Sequence, residues 1–382
     1  MLRSLELFAV ALVIIVALVF VDTLIPLPVS LPIVTEESPS ATSTPPYTIE
    51  ASATSTVQIA TTTAPKITEP KPKAPEESVV SAVTPPIALP PVLPVQTVSV
   101  FNDLNTKTRA ALVNIFCAAD FRSPFSGTSG SGTIIDPRGV ILTSAHIAEF
   151  YLIKDYPALG SIECVLRMGS PAMNRYEARL LYLPPSWVVA NSAALSQENP
   201  SGTGEHDYAF LLITKTTNGD PLPALFPFVS LAVENTPITK GTLVLAGGYA
   251  AEFLKGSSLL SNLFALTTIT PISELYTFGS SSTDVFALKG ALVSEKGSSG
   301  GPVVSPDGHV IGLIDTSTAG ATTGERQAHA ITLPYIHRDF KLETGASLNQ
   351  LFTSTDLNAA ADNFAAALAP GLRDQILSHV KK

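Results

Sequence analysis

From about residue 104 to residue 337 the chain is a series of short apolar runs, rich in Val, Ile, Leu and Thr, cut at close intervals by Gly, Pro, Asp and Ser. That texture is what antiparallel strands joined by tight turns require. Two stretches read directly as hairpins. Thr133-Ile134-Ile135 and Val140-Ile141-Leu142 flank Asp136-Pro137-Arg138-Gly139. Pro302-Val303-Val304 and His309 to Ile314 flank Ser305-Pro306-Asp307-Gly308. The pattern predicts an all-β domain of two small barrels, at about 105–215 and 225–337, with a cleft between them.

The rest of the chain has different textures. Residues 26–97 hold 15 of the 31 prolines, with many Thr, Ser and Ala. Pro-Lys-Pro-Lys at 70–73 and the Pro-Pro pairs at 45, 85 and 90 cannot join helices or central strands. The segment reads as a disordered, semi-extended stalk, with an average reach of about 50 Å as a flexible coil. Ahead of it, Leu7 to Val21 is an unbroken apolar run. With Leu24 and Ile25 it reaches the length range of a spanning helix. Phe20-Val21-Asp22 is a poor leader-cleavage site. Residues 1–25 therefore read as a signal anchor. Arg3 precedes the run and the next basic residue is Lys66, which places the N-terminus in the cytoplasm and the bulk of the chain outside, periplasmic or at the cell surface.

At the other end, residues 341–382 form a helical tail. Leu357, Ala361, Phe364 and Leu368 share one helical face, and Leu372, Ile376, Leu377 and Val380 resume it after Pro370-Gly371. The expectation is two short helices packed on the barrels. Hydrophobic residues make up 45% of the chain and charged ones 14%, enough for a large core. A net charge of −9 argues against nucleic acid as a partner.

The chemistry is carried by three separated stretches. Gly297-Ser298-Ser299-Gly300-Gly301-Pro302 is a Gly-rich turn that exposes one serine. Thr143-Ser144-Ala145-His146 offers a base, and Asp207, ahead of the apolar run Tyr208 to Ile213, offers an acid. A serine hydroxyl needs a base to take its proton, and the base needs an acid to fix its tautomer. Each piece alone is a common structural feature. The order His, Asp, Ser, with a hairpin abutting the His146 stretch and another the Ser299 stretch, is far more specific. Glu205, His206 and Asp220 lie close enough to Asp207 in sequence to make it the least constrained member.

These stretches resemble the chymotrypsin-fold serine peptidases, and more closely their bacterial HtrA-like, trypsin-like branch. The resemblance covers roughly residues 105–337, within a peptidase domain spanning 98–340. It implies two Greek-key six-stranded barrels, a catalytic His146, Asp207 and Ser299, and an oxyanion hole from the N–H groups of Gly297 and Ser299. It makes Ala291 to Ser294 one wall of the specificity pocket, with Val293, Ser294, Ile314 and Asp315 at the substrate; Asp315 could instead cap the end of its strand. The uncharged wall favours a small or medium apolar P1 side chain. Cys117 and Cys164 would fall on neighbouring strands of the first barrel, where they form either a cross-strand disulfide or two buried thiols. His309 reads as solvent-facing, and His329 as approaching the specificity pocket.

Departures from the family also count. Ser144 replaces the usual alanine before Ala-His, and Ser298 stands where secreted trypsins place an aspartate that pairs with a cleaved N-terminus. This resembles the HtrA-like branch, where loop ordering sets activity. The residues after 345 are too few for the PDZ domain that many HtrA-like proteases carry. Those enzymes commonly form trimers through an N-terminal segment, and Phe101 with its apolar neighbours is the feature here that suggests a homo-oligomer. The expected function is a membrane-anchored, extracytoplasmic endopeptidase for peptide or unfolded-protein substrates, in quality control or regulated proteolysis, with no metal or cofactor. The alternative is a silent protease-fold module that binds peptides from a membrane stalk.

Overall fold

The computed structural model describes residues 95–380, apart from 198–201, 280–281, 290–291, 319–324 and 355. The expected anchor at 1–25 and nearly all of the expected stalk at 26–97 lie outside the described residues. No helix among the described residues is long and apolar enough to cross a membrane.

Twelve strands close into two antiparallel barrels. The first holds β1 (Leu112–Ala119), β2 (Thr128–Asp136), β3 (Val140–Thr143), β4 (Ile162–Met168), β5 (Met173–Tyr182) and β6 (Ala209–Thr216) in the order β1-β2-β3-β6-β5-β4. The second holds β7 (Leu243–Gly248), β8 (Leu266–Tyr276), β9 (Val285–Lys289), β10 (Pro302–Val304), β11 (Val310–Ser317) and β12 (Gln327–Thr332) in the equivalent order β7-β8-β9-β12-β11-β10. Both hairpins read from the sequence are present as β2–β3 and β10–β11. Closure leaves no free strand edge in either barrel.

The short strands work because their side chains are swallowed on the inside. In β1, Leu112, Val113, Ile115 and Cys117 are fully buried. In β6, Ala209, Phe210, Leu211, Leu212 and Ile213 are all buried, one face by the barrel core and the other by the C-terminal helices. Burying a side chain of that size stabilises by about 1.5–3 kcal/mol, which is how barrels with such short strands hold.

Helices cover the outside. α1 (Val95–Ala111) precedes the first barrel and takes in residues 105–111, which the apolar pattern assigns to the barrel. Phe101, Leu104, Thr108 and Ala111, spaced three or four apart, form its buried face. Phe101 is only 2% exposed, so this residue is turned into the molecule and offers no surface to another copy. Arg109 donates to the Ala265 carbonyl and Asn105 accepts from Thr267, which fastens α1 to the second barrel. Four short helices follow within the barrels: α2 (Ala145–Ala148), α3 (Phe150–Ile153), α4 (Pro185–Asn191) and α5 (Ser257–Ser261).

The C-terminal region is longer and more helical than the sequence suggested. α6 (Leu333–Thr344) starts directly from β12, capped by Thr332, whose hydroxyl accepts from the Tyr335 N–H. α7 (Leu348–Ser354) follows. α8 (Leu357–Ala367) and α9 (Ala369–Leu377) are the two helices the apolar spacing had indicated. Leu357, Ala361 and Phe364 of α8 and Leu372 and Ile376 of α9 are buried against the first barrel. Pro370 falls in the first turn of α9, where its missing N–H costs nothing.

Candidate active site

His146 sits in the one-turn helix α2, immediately after β3. Asp207 lies two residues before β6, which is paired to β3 through Thr143 and Ala209. That pairing brings acid and base together. The Asp207 carboxylate takes two bonds from one residue: the His146 backbone N–H at 3.0 Å and the ring Nδ1 at 2.8 Å. A proton on Nδ1 leaves Nε2 as the free base.

Ser299 comes from the other barrel. Its turn, Glu295 to Gly301, is drawn tight by Ser298 N–H donating to Glu295 and Gly301 N–H donating to Ser298. Gly297 has φ +98° and Gly300 has φ +87°. A methyl group on Gly300 would lie 2.0 Å from the Ser131 carbonyl and 2.5 Å from the Thr143 hydroxyl, so no other residue fits. Among the described residues, no protein acceptor takes the N–H of Gly297 or of Ser299. Two unengaged backbone donors beside a nucleophile are what an oxyanion hole consists of.

The turn is braced from both barrels. Ser131 of β2 donates its N–H to the Ser299 carbonyl at 2.8 Å and its hydroxyl to the Gly297 carbonyl at 2.7 Å, while that hydroxyl accepts from the Tyr249 N–H at 2.8 Å. Ala251 N–H donates to the Lys296 carbonyl. Gly300 and Gly301 pair with Ile314 of β11. The loop that the family resemblance made a candidate for disorder is thus held in place at five points.

The Ser299 hydroxyl donates to the Asp315 backbone carbonyl at 2.9 Å. No bond among the described residues joins it to His146. Catalytic hydrogen bonds are often long or unformed before substrate arrives.

Asp315 occupies a place that the sequence did not disclose. It lies inside β11, not at its end, so it caps nothing. Its carboxyl is buried, with Oδ1 3.5 Å from His146 Nδ1. Substrate contact through this side chain is ruled out by that burial. Ile314 and Val293 likewise turn their side chains into the core of the second barrel. Ser294 is buried in a 3-10 turn at 292–294, and its hydroxyl has no partner among the described residues. The signal for Asp315 was available: a charged residue that directly follows the apolar run Val310 to Ile314 is costly to bury if the strand continues through it. Ser131 was masked by its setting, since Ser129-Gly130-Ser131-Gly132 looks like a turn but is a strand.

Electrostatics follow from the crowding. Burial works against a charge on His146, but Asp207, with Asp315 behind it, raises the imidazole well above its ordinary value. Burial also opposes ionisation of Asp207, yet the imidazole and the His146 N–H hold it below the usual carboxylate range. Asp315 is pushed up to about 8 by burial and by the neighbouring Asp207 charge. Glu149, buried just past α2, is raised well above its ordinary value by burial. His146, Asp207 and Asp315 place ring nitrogen and carboxylate oxygens within 4.8 Å of one another, close enough to share a proton or a cation.

The other histidines have separate settings. His309 is half-exposed beside Asp307 at the β10–β11 turn. His337 Nε2 bonds the Ala232 carbonyl. His329 lies on β12, between Thr316 of β11 and Ala287 of β9, and burial lowers its basicity. Cys117 and Cys164 are directly opposed across β1 and β4 and are joined by a disulfide, remote from the catalytic residues in sequence and strand position. Two clefts of about 300 and 510 Å³ lie on the outer side of the first barrel, and none of their lining residues belongs to the site.

Residues 130–313 match the trypsin-like peptidase domain family, a span that runs from β2 to β11 and takes in His146, Asp207 and Ser299. No curated protein matches the chain. Among solved structures the chain is similar to the Rv3671c protease from M. tuberculosis in its active form, at 21% identity over 70% of this chain and 96% of that one, with a TM-score of 0.39. It is similar to the inactive form of the Rv3671c protease at 20% identity over 64% and 95%, with a TM-score of 0.38. The chain carries a trypsin-like peptidase domain across residues 130–313.

Proposed function

We propose that the chain is a membrane-tethered serine endopeptidase that works outside the cytoplasm on exposed or unfolded polypeptide segments, in protein quality control or regulated proteolysis. The catalytic reading rests on one observation: a His146–Asp207 pair meets, across the barrel interface, a serine turn whose two N–H groups are unengaged. The tether reading rests on the apolar run Leu7 to Val21 behind Arg3 and on the Pro-rich stretch 26–97.

In this reading the Ser299 hydroxyl leaves the Asp315 carbonyl and turns to His146 Nε2. Its proton passes to the imidazole as Oγ attacks the scissile carbonyl carbon. The new oxyanion takes the N–H groups of Gly297 and Ser299, each worth about 3–4 kcal/mol to the transition state. Asp207 stabilises the imidazolium, which then gives its proton to the leaving amine. Water, deprotonated by the same histidine, hydrolyses the acyl-enzyme. The uncharged stretch Ala291 to Ser294 favours a small or medium apolar P1 residue.

Treating the full chain with a fluorophosphonate probe and locating the adduct by mass spectrometry tests this. A single adduct on Ser299, absent from Ser299→Ala, is expected. No adduct, with or without unfolded protein present, would make the domain a silent peptide-binding module. Cleavage mapped mainly after Arg or Lys would overturn the apolar P1 assignment.

A further inference from the structure

Three buried carboxyl groups crowd one imidazole. Asp207 holds Nδ1, Asp315 lies 3.5 Å from the same nitrogen, and Glu149 is buried just past the helix that carries His146. A single imidazolium balances one of these charges, so the other two groups are costly as anions.

Asp315 is the more constrained of the two. It is 4% exposed, and neither of its carboxyl oxygens has a hydrogen-bond donor among the described residues. The Nδ1 proton that could serve it is already committed to Asp207. The Ser144 hydroxyl beside it goes to the Ile314 carbonyl instead. The Gly204 backbone closes the other side, where even a methyl group would come within 2.6 Å of Oδ2. The titratable groups that face Asp315 are therefore His146 from α2 and Asp207 from the segment ahead of β6, with Glu149 acting on that same pair. A buried carboxyl with no donor is satisfied if it carries the proton itself. The Asp207 carboxylate, within 4.8 Å in the same cluster, is then the acceptor available to it.

We propose that Asp315 works as a protonated carboxylic acid that donates to Asp207, extending the Ser299–His146–Asp207 series by a fourth member. Asp315 is a positioning residue, and the proposal rests on the reading of Ser299 as the nucleophile. Its proton stays on it through the cycle; the Ser299 proton moves only to His146 Nε2 and on to the leaving group. The donated bond fixes the Asp207 carboxylate and holds the site to one negative charge. A neutral Asp315 adds no second negative charge beside His146 Nδ1. The same residue addresses the nucleophile from its other end, through the backbone carbonyl that holds the Ser299 hydroxyl. The upward displacement of Asp315 to about 8 accords with this arrangement.

The test measures the fluorophosphonate labelling rate of the full chain between about pH 5 and 10 for wild type, Asp315→Asn and Asp315→Ala. Asn supplies a neutral donor to Asp207, so it should label within about threefold of wild type at pH 7 with its acid midpoint unmoved. Ala removes the donor, so it should label about tenfold or more slowly with the midpoint shifted upward. A midpoint lowered by about one unit in Asp315→Asn would mean that a charge had been lost beside Nδ1, and would overturn the proposal. So would unchanged behaviour in Asp315→Ala, or a labelling rate sensitive to a chelator, which would assign the cluster to a cation.

Carboxyl ¹³C NMR of the aspartate-labelled wild-type chain decides the matter without any variant. One aspartate that titrates above about pH 6 is expected; all of them titrating below about pH 5 would overturn the shared proton. A chain that never labels at Ser299 refutes the peptidase reading, while this spectrum still reports on Asp315.

Discussion

The imidazole of His206 lies 2.9 Å from the carboxylate of Asp339, so the residue next to the catalytic acid is tied to the C-terminal helix α6. His206 takes φ +60°, a left-handed conformation uncommon for a side chain of its size. Its N–H donates to the Tyr335 hydroxyl, also from α6, and its carbonyl accepts from Tyr208. Helix α6 thus dictates the backbone path that presents Asp207 to His146.

Replacing His206 with Asn keeps a residue that tolerates the left-handed conformation and removes the charge. The bond to Asp339 raises the His206 basicity against the effect of burial. A raised histidine stabilises fully below its unfolded value, near pH 6.5, and the contribution is lost as pH rises through the folded value above it. The expected result is a Tm lowered by about 2–4 °C near pH 6, with the gap to wild type closing at alkaline pH. Thermal denaturation across that range measures it, and an equal gap at all pH values would refute the assignment.

Asp207→Asn should keep the fold and cost about 10⁴ in labelling rate, since an amide cannot hold the imidazole in its working tautomer. In wild type the carboxylates keep His146 above its ordinary value, so labelling should rise through a midpoint above about pH 6.5. In Asp207→Asn that midpoint should fall. An unmoved midpoint would show that Asp207 does not govern the imidazole.

Ser131→Ala removes two bonds at once, one to the Gly297 carbonyl and one from Tyr249. Each buried group left without a partner costs about 1–3 kcal/mol. The serine turn loses the hydroxyl part of its brace while the backbone bond from Ser131 to Ser299 remains, so the labelling rate should drop about 10–100-fold at unchanged His146 midpoint. Thr in the same position should restore much of it. If Ala and wild type label alike, the turn is held by its own barrel alone.

Breaking the Cys117–Cys164 link frees a loop with a sequence separation of 47. Loop-closure entropy for that span corresponds to about 4 kcal/mol. Cys117→Ala with Cys164→Ala should lower the urea midpoint accordingly and leave the labelling rate at 25 °C within about twofold, because the pair joins β1 to β4 away from the catalytic residues. A large loss of labelling in fully folded protein would count against this.

Asp315→Asn should also change the stability profile. Burial, reinforced by Asp207, raises this carboxyl to about 8, so the folded chain holds a proton that the unfolded chain releases near pH 4. Stability therefore falls as pH climbs from about 4 to 8. The Asn variant escapes that loss and should melt a few degrees above wild type at pH 8, with the difference vanishing near pH 4. A variant less stable at every pH would contradict it.

Much of the site could be read from the chain because its pieces are local. The turn from Gly297 to Gly301 announces itself by glycines that no other residue could replace, and the hairpins beside His146 and Ser299 carry their own turn signatures. What escaped was long-range. Asp315 meets Asp207 only once the barrels pack, and Asp339 meets His206 across 133 residues of chain. α1 was hidden by its sparse spacing of Phe101, Leu104, Thr108 and Ala111 on an otherwise polar helix. α6 was obscured by following β12 without a break.

The two barrels divide the catalytic parts between them: His146, Asp207 and Ser131 on the first, Ser299 and Asp315 on the second. A chain emerging from synthesis with only its first barrel complete holds a base and an acid but no nucleophile. On the proposed reading the site is complete only once the strands that follow Ser299 have closed the second barrel.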